Sequence, residues 1–225
     1  MSRVRKQGRA EQRERILAAA FELFSEHGFD GATMAEVADA AGVARATVFN
    51  HFGSKQGLVD AMTEGVLRFY QGMLDAALAA EDVSTPVLVR ALFDQMGAGV
   101  ELQPRIQRGI FREIGRLVLG LEEGGPAQRV DEENQLRVVK LLARGQERGE
   151  LRAEQSPEAL ASAFGMLANG TITRWLFEDT QGSLRDRMRA AAEIFLGGAA
   201  TEGAGASRSQ PLPNLYPPGE WRNFS

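Results

Sequence analysis

The sequence contains no cysteine, and its 225 residues include only two histidines, His27 and His51. Without cysteine the chain has no disulfide bonds, no thiolate zinc site, no iron–sulfur cluster held by cysteine and no cysteine nucleophile. Two histidines cannot form a multi-histidine metal site within one chain. These absences leave no metal and no cofactor among the expected components of the protein.

Long apolar runs are also missing. Residues 1–15 are polar and basic and no apolar segment follows them directly, so no signal peptide is predicted. The charge-free stretch 159–173 contains serine, asparagine, glycine and threonine, and it is shorter than the ~20 apolar residues that a membrane span requires. Hydrophobic residues at 44% and charged residues at 25% are usual for globular proteins. We therefore expect a soluble, cytoplasmic protein without a membrane partner.

Apolar residues recur at helical spacing along most of the chain, and no segment alternates with period two. This pattern predicts an all-α protein of about nine helices. The predicted helices fall into a small N-terminal group at 10–70 and a larger C-terminal group at 71–198. A basic, flexible arm is expected at 1–9, and the glycine-, serine- and proline-rich segment 199–225 is expected to be a flexible tail.

Two short helices within 33–52 carry the most specific pattern. Thr33 and Glu36 match a capping box, in which the two side chains satisfy free amides at a helix start. Gly42 suits a tight turn because it tolerates positive φ. A second helix is predicted from Ala44 to about His51, with small residues that would let it approach the major groove of DNA. An ordinary helical hairpin within a core is the alternative that this pattern leaves open.

The residues of this segment resemble the TetR family of bacterial transcriptional regulators. The resemblance rests on 33–38, on Ala41-Gly42-Val43-Ala44-Arg45-Ala46-Thr47-Val48-Phe49-Asn50-His51-Phe52-Gly53-Ser54-Lys55, and on 15–29, which resembles the family's first helix. It covers about 10–70 and implies an N-terminal three-helix domain that binds DNA through a helix-turn-helix motif. It implies that 71–198 binds a ligand and dimerises.

The resemblance also implies a role for each residue of the motif. Arg45 would reach base edges, where a guanidinium pairs with guanine through two hydrogen bonds. One position departs from the family pattern, since Phe49 stands where tyrosine is usual and lacks the hydroxyl that would bind a phosphate. Thr33 and Lys55 would bind phosphates, Ala46 and Thr47 would pack against bases, and Asn50 and His51 would contact the DNA backbone. The implied DNA-binding residues are thus Thr33, Ala44, Arg45, Ala46, Thr47, Phe49, Asn50, His51 and Lys55, of which Ala44 is a small residue that permits the approach to the groove.

Several of these residues have a simpler interpretation. His51 could be a packing histidine, and Lys55 could be a solvated lysine near a helix cap. The basic run at 3–9 could be a solvated leader, or it could contact the DNA backbone or minor groove, as arms of other helix-turn-helix proteins do.

The C-terminal group contains no nucleophile–base pair and no phosphate-binding or metal-binding motif. An enzyme on an all-α scaffold is therefore disfavoured. The region instead offers large apolar side chains with a few polar ones, a mixture typical of an effector pocket, although an ordinary core is the alternative for each residue. The candidate ligand-binding residues are Phe69, Met73, Phe93, Met96, Ile110, Phe111, Ile114, Met166, Asn169 and Thr173.

Small residues at helical spacing suggest a dimer interface through 157–178 and 183–197. Ala161, Gly165, Ala168 and Ile172 would let another helix approach closely, and the resemblance implies a four-helix contact completed by Leu184, Met188, Ala191 and Phe195. Such a dimer would place two recognition helices on a near-palindromic operator in double-stranded DNA.

These patterns and the resemblance together predict a homodimeric repressor that a small apolar or amphipathic ligand releases from its operator. The alternative is a DNA-binding regulator, an activator or a ligand-independent repressor, whose C-terminal domain serves only dimerisation. The formal net charge of −4 does not argue against DNA. Residues 1–15 carry six Lys/Arg against two Asp/Glu, whereas 56–225 carry eighteen against twenty-three, so the acidity belongs to the C-terminal region.

Overall fold

The computed structural model describes residues 2–102, 104–118, 126–178, 182–201 and 213–215. Within these ranges the chain forms nine α-helices and no β-strand, which confirms the predicted all-α class. None of the described helices combines the length and the apolarity needed to cross a bilayer. The helices are α1 (Ser2–Gly31), α2 (Met34–Ala40), α3 (Arg45–Phe52), α4 (Lys55–Ala79), α5 (Thr85–Leu102), α6 (Pro104–Val118), α7 (Pro126–Glu147), α8 (Pro157–Phe177) and α9 (Leu184–Ala199).

The ends of the first helices follow from local chemistry. The helical conformation of α1 breaks at Gly28, where φ is 76°, and the turn between α2 and α3 contains Gly42 with φ of 63°. Thr33 and Glu36 form the complete capping box at the start of α2. Ser54 caps α4 through its hydroxyl group. The predicted capping box is therefore confirmed.

Helices α1 to α3 and the first turns of α4 share a small apolar core. Ile16 and Phe24 of α1, Val37 of α2, Val48 of α3 and Leu58 of α4 are all buried. Because α4 continues for 25 residues, it connects this N-terminal domain rigidly to the C-terminal body.

The structure differs from the prediction at the N-terminus. Residues from Ser2 onward belong to α1, whereas 1–9 were expected to form a flexible arm. The backbone of this basic segment thus continues the helix that packs beside α3. The side chains of residues 1–7, among them the predicted arginines and lysine of the arm, lie outside the described residues.

A buried carboxylate fixes α9 against α5. Asp94 accepts hydrogen bonds from Nε and Nη2 of Arg185 at 2.8 and 2.7 Å and from Nε of Arg189 at 2.5 Å. Burial alone would raise the pKa of Asp94, but the hydrogen bonds and positive charges of the two arginines hold it below its usual value. At neutral pH the carboxylate is therefore ionised and binds the two helices together.

Polar side chains of α7 bind the backbone of α4. The Arg144 guanidinium donates to the carbonyl oxygens of Ala77 and Leu78 at 3.0 and 2.8 Å, which places a positive charge at the C-terminus of α4. Asn134 Nδ2 donates to the carbonyl oxygen of Leu67 at 2.9 Å. These bonds fix the wall of the body that α4 and α7 share.

Part of the predicted flexible tail is docked on the body. Ala200 pairs with Leu151 in an isolated bridge, and Leu215 is buried. Gln95 of α5 donates to the carbonyl oxygen of Pro213 at 2.6 Å and accepts from the Leu215 amide at 2.9 Å. This two-way amide contact holds 213–215 beside α5. The rest of this segment, 202–212 and 216–225, lies outside the described residues.

Candidate DNA-binding face and internal cavity

The outward face of α3 is exposed, and apart from Arg45, Phe49 and Asn50 its side chains are small. Val48 is fully buried and anchors the helix, and the opposite side is exposed. Ala44 stands at the N-cap position, so no side chain caps the first amides of α3 there. Thr47 is half-buried. The exposed predicted residues of this face are Ala44, Arg45, Ala46, Phe49 and Asn50.

Arg45 and Phe49 form a pair on this face. The Arg45 guanidinium lies 5.6 Å from the centroid of the Phe49 ring, within the range of a cation–π contact. Both side chains are exposed, and Phe49 is 39% accessible. The ring therefore supports the guanidinium at the surface, a role that does not require the hydroxyl group that tyrosine would have.

Thr33 is engaged within the protein. Its backbone N–H and its hydroxyl both donate to Glu36 Oε2 at 2.8 Å, and its hydroxyl oxygen accepts from the Glu36 amide at 3.2 Å. The hydrogen bonds from Thr33 lower the pKa of Glu36, so the carboxylate is charged at neutral pH. A DNA phosphate at the predicted Thr33 site would have to displace this carboxylate.

Lys55 lies at the start of α4, against aromatic rings of α1. Its ammonium nitrogen is 4.5 Å from the centroid of Phe29 and 6.0 Å from that of Phe24. The side chain is half-buried. The rings hold the positive charge at the N-terminal end of α4, where the helix dipole also favours an anion.

His51 is tied to α1. Its Nε2 atom lies 3.3 Å from Oε1 of Gln12, and its ring is half-buried. Burial first, and then the positive charges of Arg9 and Arg13, lower the pKa of His51, so the imidazole is neutral at pH 7. Arg13 also lies 5.5 Å from the centroid of the Phe52 ring. Arg9, Gln12 and Arg13 are neighbours of α3 that the motif did not identify, because they are distant from it in sequence.

The C-terminal body contains a cavity of about 300 Å³. Residues of α4, α5, α6, α7 and α8 form most of its wall, and Phe21 of α1 also lines it. The N-terminal domain is therefore part of the cavity wall. Six of the ten candidate ligand-binding residues line this space, namely Phe69, Met96, Ile110, Phe111, Ile114 and Asn169.

The other four candidates lie elsewhere. Met73 and Phe93 are buried in the core outside the cavity lining, and Phe93 packs edge-to-face on Phe164 with ring centroids 4.8 Å apart. Met166 is 63% accessible on the outside of α8, and Thr173 is exposed on the same helix. Apolar character alone does not distinguish a cavity wall from a core or from an exposed helix face.

Polar residues of the lining were missed by the sequence analysis. They are Tyr70 of α4, Gln107 of α6, and Asp131, Asn134 and Gln135 of α7. Asp131, Asn134, Gln135 and Val138 follow the spacing i, i+3, i+4 and i+7, so they share one face of α7. Their common position on the core-facing side of the amphipathic helix α7 is the sequence feature that could have identified them as cavity residues.

The predicted dimer residues of α8 and α9 are buried within the chain itself. Ala161, Ala168 and Ile172 are at most 2% accessible, and Gly165 lines the cavity. Leu184, Met188, Ala191 and Phe195 also belong to the core. These residues were assigned to the wrong face, because a stripe of small residues packs equally well on a helix of the same chain.

An exposed stripe runs along the opposite side of α8. Its residues recur at spacings of 4, 3, 4, 3 and 4, and they are small or apolar. A second exposed stripe, with spacings of 4 and 3, runs along α9, which packs on α8. We call the two together the outer stripe, and it comprises Ala159, Ala163, Met166, Gly170, Thr173 and Phe177 of α8 with Ala190, Ile194 and Gly197 of α9.

Known proteins resemble this chain in sequence. Residues 16–62 match the family model described as bacterial regulatory proteins, tetR family. The transcriptional regulatory protein RaaS of Mycobacterium tuberculosis is 31% identical over 194 residues, which cover 81% of this chain and 90% of that protein. The transcriptional repressor BepR of Brucella suis is 30% identical over 175 residues, covering 74% and 81% of the two chains.

Solved structures share the fold over most of the chain. The regulator RolR in complex with resorcinol aligns with a TM-score of 0.64 at 22% identity and covers 93% of this chain and 99% of its own. The repressor FadR of Thermus thermophilus in complex with lauroyl-CoA has a TM-score of 0.62 at 26% identity, covering 83% and 94%. Both similarities extend well beyond the N-terminal domain.

Proposed function

Because the chain belongs to the TetR family of bacterial transcriptional regulators, we propose that it is a homodimeric, cytoplasmic repressor that a small ligand releases from its operator. The observation that carries the DNA-binding step is the exposed face of α3, where Arg45 is supported on the Phe49 ring. A guanidinium in this position suits two hydrogen bonds to guanine in the major groove. Lys55 and Arg13 provide positive charge beside the same helix.

The operator supplies the first test. Protein would be used to select duplexes from a random pool, and affinities would be measured by fluorescence anisotropy at fixed salt. We expect an inverted repeat whose half-site centres are about 10–10.5 base pairs, or a multiple of this, apart. The selected duplex should bind at least about 10³-fold more tightly than random DNA. Equal affinity for the selected and the random duplexes would contradict sequence-specific regulation.

The outer stripe supports the dimer. It exposes large apolar side chains, among them Met166 at 63%, Phe177 at 48% and Ile194 at 70% accessibility. Gly170 and Gly197 would let the helix of a second copy approach closely. Two copies related by a two-fold axis would bury the stripes of α8 and α9 in a four-helix contact.

Charging this surface should separate the dimer. The double variant Met166→Glu/Ile194→Glu is expected to sediment as a monomer, because four carboxylates would be buried without partners in each interface. Specific DNA affinity should fall by at least about 10²-fold. In the dimer, binding of one recognition helix makes binding of the second effectively intramolecular, and the monomer loses this gain. Sedimentation velocity and anisotropy on the selected operator would measure the two effects.

The control is Leu136→Glu, which places one carboxylate per chain on an exposed leucine of α7 outside the outer stripe. This variant should remain dimeric and bind the operator as the wild type does. If the double variant stays dimeric and binds normally, the subunits associate through another surface.

The cavity supports a ligand-controlled release. Its wall includes Phe21 of α1 and Phe69 of α4, and α4 also begins at the DNA-binding face with Lys55. A ligand that fills the cavity can therefore favour a different angle between the N-terminal domain and the body, provided that it binds the two states unequally. In the dimer such a rotation would change the separation of the two recognition helices.

A further inference from the structure

We propose that the cavity recognises an apolar ligand that carries a protonated amine. The proposal deepens the ligand step of the proposed function and rests on it. It follows from three features of the lining, which are unpaired acceptor oxygens, one carboxyl group, and aromatic walls.

The first feature is a pair of buried acceptors. Oε1 of Gln107 and Oδ1 of Asn134 are shielded from solvent and have no hydrogen-bond partner. Both residues line the cavity, and they are 9% and 2% accessible. Asn134 uses its amide nitrogen on the Leu67 carbonyl, so its oxygen is the atom left to bind. A buried acceptor without a donor destabilises the protein, and a rotation of either amide toward the cavity would let a ligand N–H satisfy it.

The second feature is the charge of the wall. Asp131 is half-buried in the lining, and burial first, and then the charge of Glu132, raise the pKa of its carboxyl group. Among the described residues that line the cavity, no side chain is basic. A ligand cation would offset the cost of burying this carboxylate, whereas an anionic ligand would be repelled by it and would find no positive partner among these described residues.

The third feature is the aromatic wall. Rings of Phe21, Phe69, Tyr70, Phe111 and Phe164 line the space. Their edges and faces can bury an apolar ligand body, and an aromatic face also attracts an ammonium group. The three features favour the same head group. A protonated amine donates several hydrogen bonds to acceptor oxygens, pairs with a carboxylate and is attracted by aromatic faces.

A matched series of compounds tests this preference. The probes are 4-phenylbutylamine, 4-phenylbutan-1-ol and 4-phenylbutanoate, which share one apolar body and differ in the head group. Titration calorimetry and thermal shift would be carried out on the full-length wild-type protein. We expect the amine to bind at least about tenfold more tightly than the alcohol, and the carboxylate to bind most weakly or not at all.

Two variants assign the preference to Asp131. In Asp131→Asn, which keeps the shape of the side chain, the amine and the alcohol should bind within about threefold of each other. Glu147→Gln removes one negative charge from an exposed position of the same helix and should leave the tenfold preference intact. Equal binding of the amine and the alcohol to the wild type, or tighter binding of the carboxylate, would overturn the proposal.

This test is independent of the proposed release from DNA. Anisotropy on the selected operator would be repeated with each probe at a saturating concentration. If the amine binds as expected but leaves operator affinity unchanged, the release mechanism fails and the head-group preference stands. If the carboxylate or the alcohol releases the operator and the amine does not bind, the head-group preference fails and the release mechanism stands.

Discussion

Replacing Gly57 by alanine is expected to destabilise the N-terminal domain and to weaken operator binding. A methyl group on Gly57, in the first turn of α4, would overlap the backbone carbonyl oxygen of Phe52 at the end of α3. Because a backbone atom cannot rotate away, α3 and α4 would have to separate. We expect a loss of about 2 kcal/mol in the free energy of unfolding, which corresponds to a Tm lower by roughly 4–8 °C.

Gly57→Ala should also lower the affinity for the operator. A displaced α3 changes the position of its exposed face relative to α4, so operator affinity should fall by about tenfold or more, equivalent to ~1.4 kcal/mol. Urea unfolding and anisotropy on the same preparations would separate the two effects. The folded fraction at the assay temperature would be checked by circular dichroism.

Gly65→Ala is the matched control, since it makes the same substitution two turns later in α4. A methyl group at Gly65 meets no atom within 4 Å. The higher helix propensity of alanine should therefore stabilise the protein by about 0.5–1 kcal/mol. The two substitutions should thus have opposite signs. A Gly57→Ala protein as stable as Gly65→Ala would mean that the α3–α4 contact is not tight.

The N-terminal domain was predictable because its signals are local. The capping box of Thr33 and Glu36 spans four residues, and the chemistry that forms it needs no distant partner. Ser54 and Gly42 likewise fix a helix start and a turn from their own side chain or φ angle. These local signals did not predict the contacts of His51 and Lys55. His51 contacts Gln12 and Lys55 contacts Phe29, and both partners belong to α1.

The faces of α8 were harder to assign than the helix itself. Its start at Pro157 and its length followed from the sequence, but two stripes of small and apolar residues run along it. One, with Ala161 and Ala168, packs inside the chain, and the other, with Ala163 and Gly170, is exposed. Spacing along one helix cannot tell an internal partner from a second copy, because both need the same close approach.

The chemistry of the cavity depends on contacts between helices far apart in sequence. Gln107, Asp131 and Asn134 come together only when α6 and α7 pack against α4. Taken alone, Asp131 is explained by a helix start rich in acids, which the helix dipole favours. The apolar lining was partly predictable because large side chains are common near cavities, whereas the polar residues that select a ligand were not.

Replacing Arg45 by alanine is expected to remove most of the discrimination at one base pair of each half-site. The guanidinium is exposed at the start of α3 and rests on Phe49 at 5.6 Å. Losing a bidentate contact to guanine costs about 1–3 kcal/mol for each half-site, so the loss for the dimer is about twice that. Anisotropy on the selected operator and on duplexes with each single base substitution would measure it.

The pattern across sequences decides the role of Arg45. If it reads a base, Arg45→Ala should bind the wild-type operator and the duplex altered at that position with similar affinity, and preferences elsewhere should remain. Arg45→Lys keeps the charge but not the planar pair of donors, so it should retain the salt dependence and still lose most of the guanine preference. Arg68→Ala, which removes an exposed arginine paired with Glu64 on α4, serves as the control for charge loss and should leave the base preferences unchanged. Equal weakening of Arg45→Ala on every duplex would instead make Arg45 a phosphate contact, and the base-reading role would pass to other exposed residues of α3.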